Sequence, residues 1–502
     1  MVVTTYDAND GDGHALVSGT VAAAPHHDAA GAKRRLASWR PASTRANEVA
    51  GLELLRARAR HVYANNAIAR GLIDFLVCNI VGNGISPQPL VSNKRTRERI
   101  IALWEQWGEQ ADFADALDVY GLQTLAVRTW LTSGEAFVIH RPYDTDSGVA
   151  YQVQVLEPDF VPLLNAENPD NHNAICQGIE FDARGKIVAY WVLKSAANLA
   201  ADRLAVAGWL DRAERIEARH VSHLFEPLRP GQLRGIPPLS VSLVRLRNTD
   251  DLDDAVLERQ RIANLFVTFI TRPPGEMEDY VPPTGMPSTE AAVSAGDEGT
   301  VEPDSLPPIE LEPGASQVLA DGEDVRFSDP PDAGTNYVDY MRWQYRTICA
   351  AYGIPYAVAF NDYADANDRT MRVALNEFAR RITQMTENIV VHQLCRPMRR
   401  KFFDAAILAG LLPSNKPEIR NTRWVPQAKP YIHPVQDMQA LRMKYELGLA
   451  SRTEMALQQG KDADLLDGEI AHDNARERKL GLKFHEKIAG DVASDGGVGA
   501  VD

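Results

Sequence analysis

At 502 residues, 45% apolar and 24% charged, the chain is long enough for several subdomains around a sizeable core and has the profile of a soluble folded protein. Its best candidate for a membrane span, residues 62–85, contains Asn65, Asn66, Arg70, Asp74 and Asn79; such groups are costly in a bilayer, and no membrane association is expected. The net charge of −15 is uneven: residues 273–333 hold fifteen acidic residues against the single Arg326, or −14, so the remainder carries only −1 and a whole-chain charge argument misleads.

The first residues, Met1-Val-Val-Thr-Thr-Tyr-Asp7, have neither the basic region nor the apolar core of a signal peptide, so synthesis and function in the cytoplasm are expected. Residues 1–43 lack periodicity and read as a flexible arm with a basic cluster at Lys33-Arg34-Arg35. A helical pattern then runs from Thr44 to Val81, ended by Gly82-Asn83-Gly84. Helices are also expected over 95–110, with Trp104 and Trp107 on one face, and over 119–133. Strands follow at Ala136–Ile139, Tyr151–Val155, Gly178–Phe181, Ile187–Val192 and His220–Phe225, with Asp182-Ala-Arg-Gly185 as a hairpin turn. Pro237-Pro238 opens a helix to about Asn264; its 28 residues would extend roughly 42 Å at 1.5 Å per residue. The acidic segment that interrupts is rich in proline and suits extended loops.

Helical pattern returns over 337–352 and stops at Gly353-Ile-Pro355. A polar loop, residues 361–368, precedes a helix whose stripe Met371, Leu375, Phe378, Ile382, Met385 and Ile389 is continuous, with Arg369, Arg380 and Glu387 opposite. Pro397 is expected to kink or end that helix. Helical tracts at 437–447 and 452–480 close the chain before a glycine-rich tail, 483–502, expected to be flexible.

Catalytic signatures are missing. Gly185-Lys186 and Gly460-Lys461 lack the upstream glycine and the following Ser or Thr of a phosphate-binding loop. There is no dinucleotide fingerprint, nucleophile elbow or His-Glu-x-x-His. His220 and His223, three apart on a strand, point to opposite faces and do not converge on a metal. Asp250, Asp251, Asp253 and Asp254 spread around a helix and read as a solvated acidic turn. Cys78, Cys176, Cys349 and Cys395 are far apart and read as small core residues. Arg396, Arg399, Arg400 and Lys401 fit either phosphate or an acidic assembly partner. No enzymatic activity, catalytic residue, metal or cofactor is expected.

What remains is a non-enzymatic α+β protein with long helices bracketing an acidic, proline-rich insertion. Local motifs extend the pattern. They are Leu55-Arg-Ala-Arg-Ala-Arg60, Asn79-Ile-Val-Gly-Asn-Gly-Ile85, Ser133-Gly-Glu-Ala-Phe137, Gln154-Val-Leu-Glu-Pro-Asp159 and Gly178-Ile-Glu180. Ala189-Tyr-Trp191, His223-Leu-Phe225, Arg229-Pro-Gly-Gln-Leu-Arg-Gly235, Leu311-Glu-Pro-Gly314, Gly353-Ile-Pro-Tyr356 and Ile432-His-Pro434 follow. In this order and spacing, over about 34–482, the chain resembles the lambda family of bacteriophage portal proteins. It departs from that family at Asn367-Asp-Arg-Thr-Met-Arg372, where members commonly carry Asn-Tyr-Ser-Ser-x-Arg.

The resemblance implies a portal fold assembling as a ring, usually of twelve subunits. It implies a wing at 44–236, a stem helix at 237–266, a clip at 267–333 and a second stem helix at 334–353. A tunnel loop at 354–368, a tunnel helix with further wing at 369–436 and a crown at 437–482 complete it. It further implies the DNA channel of a capsid vertex, for packaging and ejection. Its partners would be double-stranded DNA, terminase, major capsid and scaffold proteins, and head-completion or adaptor proteins. The expected tunnel residues are Asn361, Asp362, Asp365, Asn367, Arg369 and Arg380. The expected partner-docking residues of the clip are Glu276, Glu278, Asp279, Asp297 and Glu298. The alternative is another phage head or baseplate structural protein without a channel.

Overall fold

A computed structural model describes residues 51–194, 209–265, 333–364, 367–413, 417–425 and 434–482. The chain divides into two units, Met1–Leu54 and Leu55–Asp502, and nearly all that is described belongs to the second. The arm, the clip with its five acidic candidates, the tail and Asp365 lie outside the described residues.

Helices α1 (Leu52–Asn65) and α2 (Ala67–Ile80) stand where one long helix was expected. Asn66 separates them: its backbone is extended and its Oδ1 accepts the Ala69 amide at 2.8 Å, an N-cap that starts a new helix. Strand β1 (Ser86–Pro89) and helices α3 (Lys94–Gly108) and α4 (Val119–Ser133) follow. Both tryptophans of α3 are buried, their rings 4.9 Å apart, as the three-residue spacing predicts.

The β region comprises β2 (Glu135–Arg141), β3 (Gln152–Leu156), β4 (Ala166–Glu167), β5 (Ala174–Cys176), β6 (Ile179–Phe181) and β7 (Ile187–Leu193). After a short helix α5 (Trp209–Arg212) come β8 (Ala213–Glu217) and β9 (Val221–Phe225). One antiparallel sheet has the order β3-β2-β9 and a second is the meander β4-β5-β6-β7-β8. Central β2 is buried on both faces, which is why it reads as a continuous apolar run. Ala136 and Val138 face the helical core, while Phe137 and Ile139 pack with Ile179, Tyr190, Val192 and Ile216 of the meander.

A single 3-10 turn, Pro238–Val241, precedes α6 (Leu243–Leu265), so the helix starts later than its prolines suggested. Helix α7 (Ala333–Tyr352) packs on α6, and a short α8 (Tyr356–Ala359) follows. Helix α9 (Asp368–Met385) then runs into a π-helical stretch, Thr386–Cys395, and on into α10 (Arg396–Leu408). Phe378, Ile382, Met385 and Ile389 of the predicted stripe are buried, and Arg369, Arg380 and Glu387 are exposed.

Pro397 does not end this helix. The widened turn before it has an i→i−5 bond from the Arg396 amide to the Val391 carbonyl, and proline sits in the first turn of α10, where its missing N–H costs little. Strand β10 (Thr422–Val425) pairs antiparallel with β1. Helices α11 (Pro434–Glu446), α12 (Arg452–Gln458) and α13 (Ala463–Leu480) close the fold, the last two where one tract was expected, with Gly460 in the left-handed conformation between them. No described helix is long and apolar enough to cross a membrane. Cys349 and Cys395 are buried as expected, but Cys176 is only partly buried and Cys78 is exposed.

Candidate functional site

Four of the sequence motifs, far apart in the chain, meet at one buried carboxylate. Glu135 opens β2, fully buried. Its Oε1 accepts Arg56 Nη2 of α1 at 2.6 Å and Arg234 Nε at 2.8 Å. Its Oε2 accepts the Gly235 amide at 2.6 Å and pairs with His223 Nε2 of β9 at 2.9 Å. Arg234 reaches on to the carbonyls of Gln177 at 2.8 Å and Val161 at 2.9 Å, tying in the meander. Burial alone would raise the Glu135 carboxyl, but Arg234 and Arg56, helped by His223, hold it well below the usual carboxylate range. Burial lowers Arg56 to about 10 against the pull of Glu135, and it lowers His223 as well. At neutral pH the cluster therefore holds one anion, two cations and a neutral imidazole.

Two glycines make this geometry reachable. Gly134 caps α4 at φ +92°, and a Cβ there would lie 2.6 Å from the Pro237 nitrogen. A Cβ on Gly235 would overlap the Gly134 carbonyl. Only two side-chain-free residues let these backbones touch.

A second buried carboxylate, Glu180 of β6, accepts Arg215 Nε at 2.7 Å, Asn168 and Asn171 Nδ2 at 3.0 Å, Asn173 Nδ2 at 2.8 Å and Trp191 Nε1 at 3.1 Å. Burial opposes ionisation, but these donors win and lower it to about 2. A third polar group links His140 Nδ1 to the Tyr151 hydroxyl at 2.7 Å and His140 Nε2 to Ser222 Oγ at 2.8 Å. A Ser–His contact is the arrangement that activates a nucleophile, yet all three residues are buried, and among the described residues the imidazole's other nitrogen meets the Tyr151 hydroxyl rather than an acid. Burial, with Lys401 and His220, lowers His140 to about 3 and keeps it neutral. These groups brace sheets and helices.

The other residue sets separate. His223 faces Glu135 while His220 Nδ1 meets Lys401 Nζ at 3.4 Å. Asp250 accepts Asn66, Asp251 accepts Arg247, and Asp253 accepts the Tyr337 hydroxyl, three different partners. Among the described residues no three His, Cys, Asp or Glu side chains gather as a metal site would need. Arg396 and Arg400 are exposed, but Arg399 is buried, which removes it from the expected surface set.

The predicted tunnel segment joins α8 to α9. Asn361 adopts the left-handed conformation at φ +52°, and Asp362 lies 3.5 Å from Arg342 of α7. Asn367 caps α9, its Oδ1 accepting the Arg369 amide at 3.0 Å. The side chain of Arg369 is exposed, and Arg380 pairs with Glu377 at 2.7 Å. The segment is anchored just upstream, where Phe360 stacks on Tyr345 and Tyr356 with centroids 5.0 Å apart. That anchor was missed because the loop was read from Asn361 onward.

Sequence reading also missed Arg56, Glu135, Glu180, Arg215, His223 and Arg234 as interacting groups. Five of them stand inside the quoted motifs, but a motif does not say which charges meet.

The architecture is that of a framework, in which the buried carboxylates Glu135 and Glu180 are consumed by internal bracing. Residues 32–385 match the model of a family described as phage portal protein, lambda family. The chain belongs to that family, which is structural. It is 22% identical over 448 residues to a probable portal protein of Halomonas phage phiHAP-1, covering 86% of this chain and 82% of that one. It is 20% identical over 506 residues to portal protein B of Escherichia phage lambda, covering 91% and 90%. Among solved structures it is similar to a chain from the virion of a native gene transfer agent particle, at 14% identity and TM-score 0.41, covering 82% of this chain and 93% of that one.

Proposed function

We propose that this chain is one subunit of a ring, of twelve copies, that forms the DNA channel at a capsid vertex. The genome would enter and leave through it, and terminase and head-completion or adaptor proteins would dock on it. Major capsid and scaffold proteins would surround it. Assembly takes place in the host cytoplasm and the ring ends in the virion. The observation that carries this reading is the family match over residues 32–385, supported by the portal proteins to which nearly the whole chain is similar.

On this reading the wing is built from α1 to β9 with β10, the stem from α6 and α7, the tunnel from the loop at 354–368 with α9, and the crown from α11 to α13. The clip is residues 267–333. Exposed apolar groups suit a chain that meets copies of itself: Trp343 of α7 is 65% exposed, and Met438 and Met443 of α11 are also exposed. The tunnel face suits passing DNA. A surface that neutralises about six to ten phosphates binds tightly and salt-dependently, which would stop sliding. Here Arg380 is paired with Glu377, and Arg372 lies 3.6 Å from Asp368.

Negative-stain imaging of the purified chain tests the reading. Rings with a central hole are expected; monomers at every concentration, or discs with no hole, would reject it.

A further inference from the structure

None of the 13 residues of α11 is buried. A helix this short is marginal in water, because few turns follow the costly first one; packing of an apolar face is what holds such a helix in a protein. Its first turn is tied to α9, where Arg372 Nη2 donates to Gln436 at 3.5 Å. Beyond that turn its apolar side chains stay open: Val435, Met438, Met443, Tyr445 and the adjoining Leu447 are 53% to 73% exposed.

These five form two stripes. By steps of about 100° per residue, Val435, Met438 and Tyr445 share one face, and Met443 and Leu447 share another, roughly 150° round the helix. Leu447 keeps the helical register, its amide bonded to the Met443 carbonyl at 3.0 Å. The charges of the helix cancel, Asp437 and Glu446 against Arg442 and Lys444, with Arg442 bonded to Glu446 at 2.7 Å. Copies of α11 can therefore adjoin without like-charge repulsion.

A helix with a single apolar stripe needs one partner; two nearly opposite stripes need two. Pairing about a twofold axis sets like against like, so it would cover one stripe and leave the other wet. A head-to-tail arrangement, in which one face of each copy meets the other face of the next, covers both and closes as a ring.

We infer that α11 is clasped between the α11 helices of two neighbouring copies, with Val435, Met438 and Tyr445 of one against Met443 and Leu447 of the next. This collar rests on the ring reading, and adds to it a defined contact and a direction around the ring.

The test is cross-linking of the full chain, with the two thiols that are not buried removed as Cys78→Ser and Cys176→Ser. Met443→Cys and Tyr445→Cys are introduced alone and together, and rings identified by negative stain are treated with dibromobimane, which joins only thiols in near contact. The double variant should give a ladder of cross-linked multimers on a denaturing gel, while each single variant stays monomeric. Rings of the double variant without a ladder, or dimers from a single variant, overturn the collar and leave the ring standing. Absence of rings in the wild type overturns both. Should the cysteine variants not assemble, hydrogen exchange of the wild type decides. Amides of residues 438–447 that exchange at least about tenfold more slowly in rings than in unassembled chain support the collar, and equally fast exchange in both overturns it.

Discussion

Replacing Glu135 by glutamine changes little in shape and much in charge. The carboxylate takes Arg56 and Arg234 on one oxygen, and the Gly235 amide and His223 on the other. Glutamine leaves two guanidiniums, each about 1% exposed at the side chain, without a counter-ion. Breaking a buried pair by removing one partner costs about 3–5 kcal/mol, because the remaining charge stays desolvated. The downgrading of charge-assisted bonds, worth about 1.5–3 kcal/mol each, to neutral ones of about 1 kcal/mol is part of that cost. Against a total stability of roughly 5–15 kcal/mol, Glu135→Gln should bring the chain near its folding threshold. The assay is denaturant unfolding followed by the fluorescence of the chain's eight tryptophans. Adding Arg56→Met removes one orphaned cation, so the double variant should lose less than the sum of the single losses, by about 0.5–3 kcal/mol. A cost below about 1 kcal/mol for Glu135→Gln, or simple additivity, would refute the reasoning.

Acid should weaken the fold well above the carboxylate range. His140 and His223 are both lowered by burial, so between pH 6.5 and their folded values the unfolded chain binds protons the folded chain does not, and stability falls as pH falls. His140 alone, lowered to about 3, implies a loss of about 2 kcal/mol between pH 6.5 and 5; denaturant midpoints across that range measure it, and His140→Gln should flatten the slope. Gly235→Ala should be among the most damaging small substitutions, since its methyl overlaps the Gly134 carbonyl, while Gly468→Ala, with open space around it and no left-handed backbone, should cost far less; soluble yield and unfolding midpoint compare them. Neutralising Glu276, Glu278 and Asp279 together should weaken binding of terminase or adaptor, more at low salt than at high, and unchanged low-salt binding would contradict a docking role. Substitutions at Asp362, Asp365 and Arg369 should leave rings intact in electron micrographs and alter DNA packaging or retention; variants that package normally would remove these residues from the channel.

Most of the secondary structure was legible because its determinants are local. Helix α4 falls on the residues expected, since Asp118 caps it and Gly134 ends it. The apolar stripe of α9 points where its spacing says, because a period near 3.6 fixes the buried face whatever it packs against. The family was legible too, through short motifs in a set order and spacing, although the chain is only 20% identical to the lambda relative.

Tertiary structure decided the rest. Asn66 became a cap as well as a donor to Asp250, 184 residues away, and α1 and α2 parted there. Pro397 stayed within a helix because the preceding turn widened to the π geometry, while Thr386 of that stretch donates to the Ile80 carbonyl and Gln393 accepts the Phe225 amide. Arg399 looked like its exposed neighbours and lies in the core, for nothing in a run of basic residues tells which one faces three aromatic rings. Glu135 meets partners 79 to 100 residues distant. Its sign and size were plain in the sequence; its partners were not, because charge carries no periodicity and only the packed backbone chooses which ions share a site.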